Sequence, residues 1–198
     1  KGLIRPGRNQ FPFNEMLSNR LNQVIGKYKP DFDEMVKMLF SLPSALSRFE
    51  RTGVVSYDDL LSIGAVGMAA RMNALERDIR TSHPYCLYPE LNHEPIIKHH
   101  GDVYSRVQIR REEINQSIKN IHTLLNHIPE PNLNVEKLSK PKPDSFSLSL
   151  VEGWRGEICH CAITDAEGEL MVYKIKDPSF HNWLALALAV RNNEISDF

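Results

Sequence analysis

The stretch Val151-Glu152-Gly153-Trp154-Arg155-Gly156-Glu157 is the part of this chain from which the rest can be interpreted. It sets one arginine between two glycines, with a carboxylate three residues before it, at the start of a predicted β-hairpin. Glycine allows backbone conformations closed to other residues and lets other groups approach, so the Arg155 guanidinium can be presented to a ligand. The alternative is a glycine-bounded surface loop with an ordinary exposed arginine. Both interpretations stay open here.

The residues that follow predict a hairpin and a final helix. Strands are expected over residues 157–164 and 169–176, because β-favouring residues flank a turn at 165–168. The segment 180–190 is apolar on nearly all sides. We expect it to form a helix that is buried in the core or under a partner.

A long amphipathic helix over residues 102–128 is the strongest predicted element. Asp102 is placed to cap its N-terminus. Its apolar residues fall in one narrow sector, namely Val103, Val107, Ile114, Ile118, Ile121, Leu125 and Ile128. The adjoining sector carries the polar residues Arg106, Arg110, Glu113 and Ser117. Arg110 and Glu113 stand at i and i+3 and are expected to pair, either as a structural ion pair or as part of a functional seam.

The N-terminal half predicts shorter helices joined by turns. Two amphipathic helices are expected before residue 50, the first ended by Pro30. Ser56 is expected to cap a brief helix, with Asp59 completing a capping-box pattern. The small residues of 64–71 allow close packing. Residues 77–100 are rich in His, Pro and charge without periodicity, and they predict a long irregular segment.

The composition is that of an ordinary globular protein. The chain has 198 residues, and 41% of them are apolar, which is enough for the core of one large domain. Its formal net charge is -1. This charge balance lacks the excess of basic residues that is typical of nucleic-acid-binding proteins. No apolar run is long enough to cross a bilayer. Cys86, Cys159 and Cys161 cannot all pair, which favours a reducing cytosolic setting. His160 points away from the two cysteines beside it, so they do not predict a zinc site.

Three stretches of the chain share residue types, order and spacing with one family. The first holds Arg51-Thr52-Gly53-Val54-Val55-Ser56, Gly64-Ala65-Val66-Gly67 and Arg77-Asp78-Ile79-Arg80. The second holds Gly101-Asp102-Val103-Tyr104-Ser105-Arg106, Arg110 and Glu112-Glu113. The third holds Glu152, Arg155-Gly156-Glu157 and Pro178-Ser179-Phe180-His181-Asn182. They resemble the large subunits shared by membrane-bound NiFe hydrogenases of the formate-hydrogenlyase type and the 49 kDa-type subunit of respiratory complex I. Before Arg51 the resemblance rests only on Arg5-Pro6-Gly7 and on the helical pattern.

The resemblance implies an α+β, mainly α fold, a helical bundle with a small antiparallel β-hairpin or sheet near residues 156–176. Such a subunit packs on an iron–sulfur small subunit in a complex anchored by separate membrane subunits. We therefore expect the chain at the cytoplasmic face of the membrane, without a membrane span of its own and without nucleic acid. We expect residues 1–50 to be an N-terminal helical segment. Residues 51–198 are expected to be the C-terminal part of the hydrogenase-type domain, in one continuous domain truncated at both ends.

The resemblance also bears on cofactors. Hydrogenase members carry a nickel–iron pair held by two cysteine pairs, whereas complex I members have lost the pair and use the equivalent cavity for quinone. None of Cys86, Cys159 and Cys161 stands at a ligand position of that pattern, so we expect no cofactor in this chain as given. A nickel–iron centre would belong to the full-length protein, and NAD and quinone would be handled at the level of the complex.

The resemblance implies a catalytic role for Arg155. In hydrogenases of this family the matching arginine hangs over the metal pair and is implicated in heterolytic cleavage of hydrogen, where a fixed cation can stabilise developing negative charge. We expect Glu152 to orient it. The residue before this arginine is commonly proline and is Trp154 here, which would reshape the pocket. Further cavity-lining or structural candidates, the first three on a family helix that lines the same interior, are Arg106, Arg110, Glu113 and His181.

From these observations we expect an oxidoreductase subunit, part of a membrane-associated redox complex of the formate-hydrogenlyase or NiFe-hydrogenase type. One alternative is the 49 kDa-type subunit of an NADH–quinone oxidoreductase with a role at the quinone site. Another is a metal-free structural homologue that serves as an assembly platform. We expect the isolated piece to be inactive.

Overall fold

The computed structural model describes residues 4–5, 8–9, 13–126, 128 and 140–197. Within these residues the chain is mainly helical, with one three-stranded antiparallel sheet and a short N-terminal hairpin. That hairpin pairs β1 (Ile4–Arg5) with β2 (Arg8–Asn9). The expected α+β, mainly α class is confirmed.

Helix α1 (Glu15–Ser41) runs straight through Pro30, so the prediction that Pro30 ends the first helix is wrong. A proline inside a helix removes one backbone hydrogen bond and strains the preceding turn. Packing on both sides of Pro30 offsets this cost. Tyr28 and Phe32 stack across it with ring centroids 5.7 Å apart, and Phe32 and Val36 are buried.

Short helices follow α1, and they leave residues 77–100 mostly irregular, as expected. They are α2 (Pro43–Phe49), α3 (Tyr57–Ser62), α4 (Gly67–Arg71), α5 (Ile79–Ser82) and a 3-10 turn at Tyr88–Glu90. The Ser56 cap of α3 is confirmed, but within the described residues Asp59 accepts the Ser56 hydroxyl and not the Ser56 backbone amide that a capping box requires. The Asp59 amide donates to Ser56 Oγ over 3.1 Å, and Ser56 Oγ donates to the Asp59 carboxylate over 2.6 Å.

Helix α6 (Val103–Leu125) begins as predicted and ends before Ile128. Asp102 caps it by accepting the Ser105 amide over 2.8 Å. The predicted buried face is wrong, since Ser105 and Ile109 are the buried residues. The expected apolar sector is only partly covered, because α6 presents Ile109 to the core shared with α3 and α4.

The sheet consists of β3 (Phe146–Gly153), β4 (Gly156–Thr164) and β5 (Leu170–Lys176), in that order. Strands β4 and β5 were expected, and β3 was not. Its register pairs Gly153 with Gly156, so β3 and β4 are joined by a two-residue turn.

Helix α7 (Ser179–Ala189) follows the sheet, and it is buried on one side only. Ala185 and Ala189 face the core, whereas Phe180 is 74% exposed and Trp183 is 67% exposed. Within the described residues the chain itself covers only the alanine side of α7, and the expected partner over the rest of the helix stays a prediction.

One apolar core joins the short helices to α6 and α7. Its members are Val55, Leu60, Ala65, Ala70, Met72, Leu75, Ile109, Ala185 and Ala189. Among the described residues, none of the helices combines the length and the apolar character that crossing a bilayer requires.

Candidate active site

Arg155 lies at the tip of the β3–β4 hairpin, in the turn it forms with Trp154. Its side chain is exposed, and Trp154 is 66% exposed. Side chains at the tip of a tight hairpin extend beyond the sheet, so they are not drawn into the core. The expectation that Arg155 projects into an interior cavity shared with α6 is therefore wrong for the described part of the chain.

The backbone of this tip is fastened although its side chains are exposed. Gly67, at the start of α4, has φ +60° and lies directly against Gly156, which has φ +131°. A Cβ at either glycine would overlap the backbone of the other segment. Both positions therefore need glycine, for conformation and for space.

A side chain of α7 also holds the tip. Asn182 Nδ2 donates to the Arg155 carbonyl over 2.9 Å, and the Val66 amide donates to Asn182 Oδ1 over 3.2 Å. Hairpin, α4 and α7 thus meet at the peptide of Arg155.

Arg110 on α6 stacks on the Trp154 ring, with its Cζ 3.5 Å from the ring centroid. It also donates to the Trp154 carbonyl over 3.4 Å. Burial lowers the pKa of Arg110, the charge of Glu113 opposes this, and the charge of Arg155 adds to it. The predicted Arg110–Glu113 pair gives way to the stack, because Glu113 binds Arg71 over 2.6 Å and Arg80 over 3.2 Å.

Beneath the hairpin lies a buried ion cluster, formed by Arg71, Asp78, Arg80, Glu113 and Glu152. Arg71 is only 2% exposed. Its guanidinium binds the carboxylates of Glu113 over 2.6 Å and Glu152 over 3.1 Å, and it donates to the Arg77 carbonyl over 2.9 Å. A buried charge persists only where such partners satisfy it, so Arg71 ties α4 to α6 and β3.

Asp78 is a buried carboxylate of the ion cluster and binds Arg80. It accepts two hydrogen bonds from the Arg80 guanidinium, over 2.8 and 2.6 Å, and one from the Arg80 backbone amide over 3.0 Å, and it stands 3.4 Å from His93 Nε2. Burial alone would raise the pKa of Asp78, but the hydrogen bonds from His93 and Arg80 and the charge of Arg71 hold it well below its usual range. The bonds to Asp78 raise the pKa of Arg80 against the opposite effect of burial.

Glu152 does not orient Arg155 directly, contrary to the sequence-based expectation. Its carboxylate binds Arg71 and accepts the Ile79 amide over 3.2 Å. Its own amide donates to the Tyr85 hydroxyl over 3.2 Å. Burial raises the pKa of Glu152, and the charge of Arg71 offsets part of that rise. Glu152 lies one residue before the Gly153–Gly156 turn, so it anchors β3 at the tip end of the hairpin, whereas Arg155 stands in the turn itself.

A cavity of about 280 Å³ opens beside the ion cluster. Its charged and polar lining residues are Arg77, Asp78, Glu152, Glu157, Lys176 and His181. His181 Nδ1 stands 3.2 Å from the Ile63 carbonyl. Of the predicted site residues, Glu152 and His181 therefore share this cavity, whereas Arg155 is not among its lining residues.

Arg106 lies apart from both the cavity and the hairpin tip. It donates to the Gly53 carbonyl over 2.8 Å and to the Asp102 carbonyl over 3.3 Å. Burial lowers its pKa, and the charge of Asp102 opposes that shift. Its contacts join the start of α6 to the turn at residues 50–53, before α3.

Sequence reasoning did not identify the ion cluster as a unit. Asp78 and Arg80 stand in a family motif, but nothing in their spacing shows that they meet Glu113 and Glu152 in space. His93 gave no signal at all, because it falls in the irregular segment.

The cysteines of this chain do not fit a nickel–iron centre, which requires two pairs of thiolates. Cys86 is exposed, and Cys159 and Cys161 are partly buried along β4. In the part of the chain that the structure describes, no three residues among His, Cys, Asp and Glu are grouped so as to hold a metal ion.

Comparison with known proteins identifies the family. A family model described as respiratory-chain NADH dehydrogenase, 49 Kd subunit, matches residues 1–148. The match includes the N-terminal residues, where the motifs were sparse, and it ends before the hairpin tip.

Individual relatives extend over most of the chain. An NADH-quinone oxidoreductase subunit of Chloroherpeton thalassium is 31% identical over 86% of this chain and 45% of its own length. The carbon monoxide-induced hydrogenase of Rhodospirillum rubrum is 30% identical over 83% of this chain and 45% of its own length. Hydrogenase-4 component G of Escherichia coli is 27% identical over 88% of this chain and 28% of its own length. The chain thus spans less than half the length of these curated relatives, and it belongs to the family of the respiratory-chain NADH dehydrogenase 49 kDa subunit.

Proposed function

We propose that this chain is part of the large subunit of a membrane-associated redox complex, and that Arg155 acts in its chemistry. Membership of the 49 kDa family supports the general class, because the names of the relatives are those of NADH–quinone oxidoreductase and hydrogenase subunits. The complex would hold an iron–sulfur small subunit and separate membrane subunits. This chain would be peripheral, at the cytoplasmic face.

The observation that carries the proposal is an exposed guanidinium on a fixed backbone. The Arg155 peptide is held by Asn182, by the contact of Gly156 with Gly67 and by the stack of Trp154 on Arg110. A charge that is fixed before the reaction stabilises charge that develops in the transition state without reorganisation. A purely structural arginine would instead form ion pairs with buried carboxylates, as Arg71 does.

Two charged residues, Asp177 and Arg110, stand near Arg155 at the hairpin tip. The hydrogen bonds from Ser179 lower the pKa of Asp177, and the nearby charge of Arg155 lowers it further. Arg110, the other cation of the tip, is occupied by Trp154. Arg155 is exposed, so a substrate or a neighbouring subunit can meet its charge.

Within the general class we favour the hydrogenase type. The stretches Arg51-Thr52-Gly53-Val54-Val55-Ser56 and Gly64-Ala65-Val66-Gly67 resemble that branch more closely, and two of the relatives are named as hydrogenases. The nickel–iron centre of such a complex would take its thiolates from residues of the full-length subunit other than the 198 of this sequence. Our proposal for this chain concerns the cation that it contributes.

The second candidate is the large subunit of an NADH–quinone oxidoreductase. The description of the matching family and the NADH-quinone oxidoreductase relative favour it. In this case NAD and quinone would be handled by the complex, and the polar side chains of Glu152 and His181 would face a cavity of the subunit.

The test uses the full-length protein, purified as its complex from the native host. For the hydrogenase type we expect about one nickel per large subunit and hydrogen-dependent dye reduction. A complex without nickel that reduces quinone with NADH would support the second candidate. A complex with neither activity and no nickel would leave the metal-free assembly platform and overturn the proposal.

A further inference from the structure

Asn182 joins the tip of the hairpin to the start of α4 through two side-chain hydrogen bonds. It lies in the first turns of α7 and reaches the Arg155 carbonyl with Nδ2 and the Val66 amide with Oδ1. The orientation of the amide follows from these partners, because a carbonyl can only accept and a backbone N–H can only donate. Asn182 thus fills both roles with one rigid group.

The two segments that Asn182 bridges are also in direct contact. Val66 precedes Gly67, which lies against Gly156, the residue after Arg155. The Asn182 hydrogen bonds and the Gly67–Gly156 contact therefore hold Val66–Gly67 and Arg155–Gly156 at a fixed separation.

Helix α4 then fixes the hairpin at two points. At its C-terminal end Arg71 holds Glu152, in β3 just before the turn. At its N-terminal end the Asn182 bridge and the glycine contact hold the tip. With the end of β3 and the turn both attached to the same short helix, the Arg155 peptide has little freedom to move along or across the sheet.

We propose that Asn182 is a positioning residue that holds the Arg155 peptide in place against α4. Its effect on turnover rests on the proposed function of Arg155. The fastening itself can be measured independently of that function.

The first experiment measures hydrogen exchange in the full complex carrying Asn182→Asp. Aspartate keeps an acceptor for the Val66 amide but cannot donate to the Arg155 carbonyl. We expect exchange in residues 153–158 to become about five to ten times faster, the effect of losing one such hydrogen bond.

Asn193→Asp is the matched control. Asn193 also accepts a backbone amide, that of Gly53 over 3.0 Å, and donates to the Ala189 carbonyl. Both of these partners lie away from the hairpin tip. The control should speed exchange near Gly53 and leave residues 153–158 unchanged. Unchanged exchange at the tip in Asn182→Asp, or equal effects of the two variants there, would overturn the proposal.

The second experiment combines Asn182→Asp with Arg155→Lys and measures kcat. We expect Asn182→Asp alone to lower kcat about tenfold and to change it less than about twofold when Arg155 is already lysine, because coupled residues are not additive. Losses that multiply would show that Asn182 only supports the fold. If exchange rises at the tip but Arg155→Lys leaves kcat unchanged, the fastening stands and the proposed function of Arg155 fails.

Discussion

Trp154 and Arg110 form the contact at the hairpin tip whose loss is simplest to measure. Lysine in place of Arg110 keeps the charge but loses the planar group that stacks on the indole. Because the stack is partly exposed, we expect Arg110→Lys to lower the free energy of unfolding by about 0.5–1 kcal/mol in urea denaturation.

Arg111→Lys is the control for this stack. Arg111 Cζ lies 5.7 Å from the Phe40 centroid, and its substitution should cost less. Equal losses for the two lysine variants would show that the Trp154 stack contributes nothing specific.

The carboxylates of the ion cluster should respond to pH in opposite ways. The folded-state pKa of Asp78 lies below its ordinary value of 3.8, so its stabilisation is present at neutral pH and is lost as the pH falls below that value. Burial raises the folded-state pKa of Glu152 above 4.5, so its contribution decreases as the pH rises from 4.5 through the raised pKa.

These directions predict the behaviour of two variants. Asp78→Asn should lower the free energy of unfolding by about 3–5 kcal/mol at neutral pH and by less in acid, because it removes a buried carboxylate that Arg80 and Arg71 share. Glu152→Gln should cost more at pH below 4.5 than at neutral pH. Denaturation midpoints measured across this range check both signs, and parallel slopes for the two variants would refute them.

At the scale of elements, the crossing of α4 and the hairpin depends on two glycines. Gly67→Ala would place a methyl group into the backbone of Gly156 at a positive φ. We expect it to lower the free energy of unfolding by about 2 kcal/mol or more, through backbone strain and overpacking.

Gly26→Ala is the opposite case and serves as the control. Gly26 lies inside α1, and no atom stands within 4 Å of the place that an added methyl group would occupy. Alanine there should stabilise the helix by about 0.5–1 kcal/mol. If both alanine variants were neutral by denaturation, the close contact of α4 with the hairpin would be wrong.

Elements fixed by neighbouring residues could be predicted from the sequence, and those fixed by distant contacts could not. The Ser56 and Asp102 caps and strands β4 and β5 follow from local patterns, and they are confirmed. The continuation of α1 through Pro30 depends on packing around Phe32, which no local pattern reports. The buried side of α6 likewise depends on where the core lies.

Strand β3 differs from these cases, because its signal was present in the sequence. Phe146, Leu148 and Leu150 alternate with serines, which is the period of a strand with one apolar face. With β3 recognised, Gly153 and Gly156 would have predicted a tight turn and an exposed Arg155. The position of the most important candidate residue thus depended on one unrecognised strand.

At the scale of the whole molecule, the site joins residues far apart in the sequence. Arg71, Glu113 and Glu152 come from α4, α6 and β3, and their pairing follows from the fold. The sequence supplied the candidates Arg155, Glu152 and His181. It could not show that Glu152 and His181 share a cavity that Arg155 does not line.

The exposed side of α7 predicts how the isolated chain behaves. Phe180, Trp183 and Leu184 are all exposed on this helix. Apolar surface of this kind is typical of protein contacts, so we expect the isolated chain to bind an apolar dye and to self-associate in sedimentation experiments. Trp183→Ser should reduce both effects. A monodisperse monomer that binds no dye would contradict this prediction.

The turnover of the complex with Arg155→Lys, measured per assembled complex, tests the central claim most directly. Lysine keeps the charge and loses the planar fork. We expect turnover to fall by about 100-fold, the size of effect seen when one preorganised charge-stabilising group is lost, with the amount of complex unchanged. Arg191→Lys, at an exposed position after α7, should leave turnover unchanged. Full turnover in Arg155→Lys, or loss of the complex itself, would contradict the account.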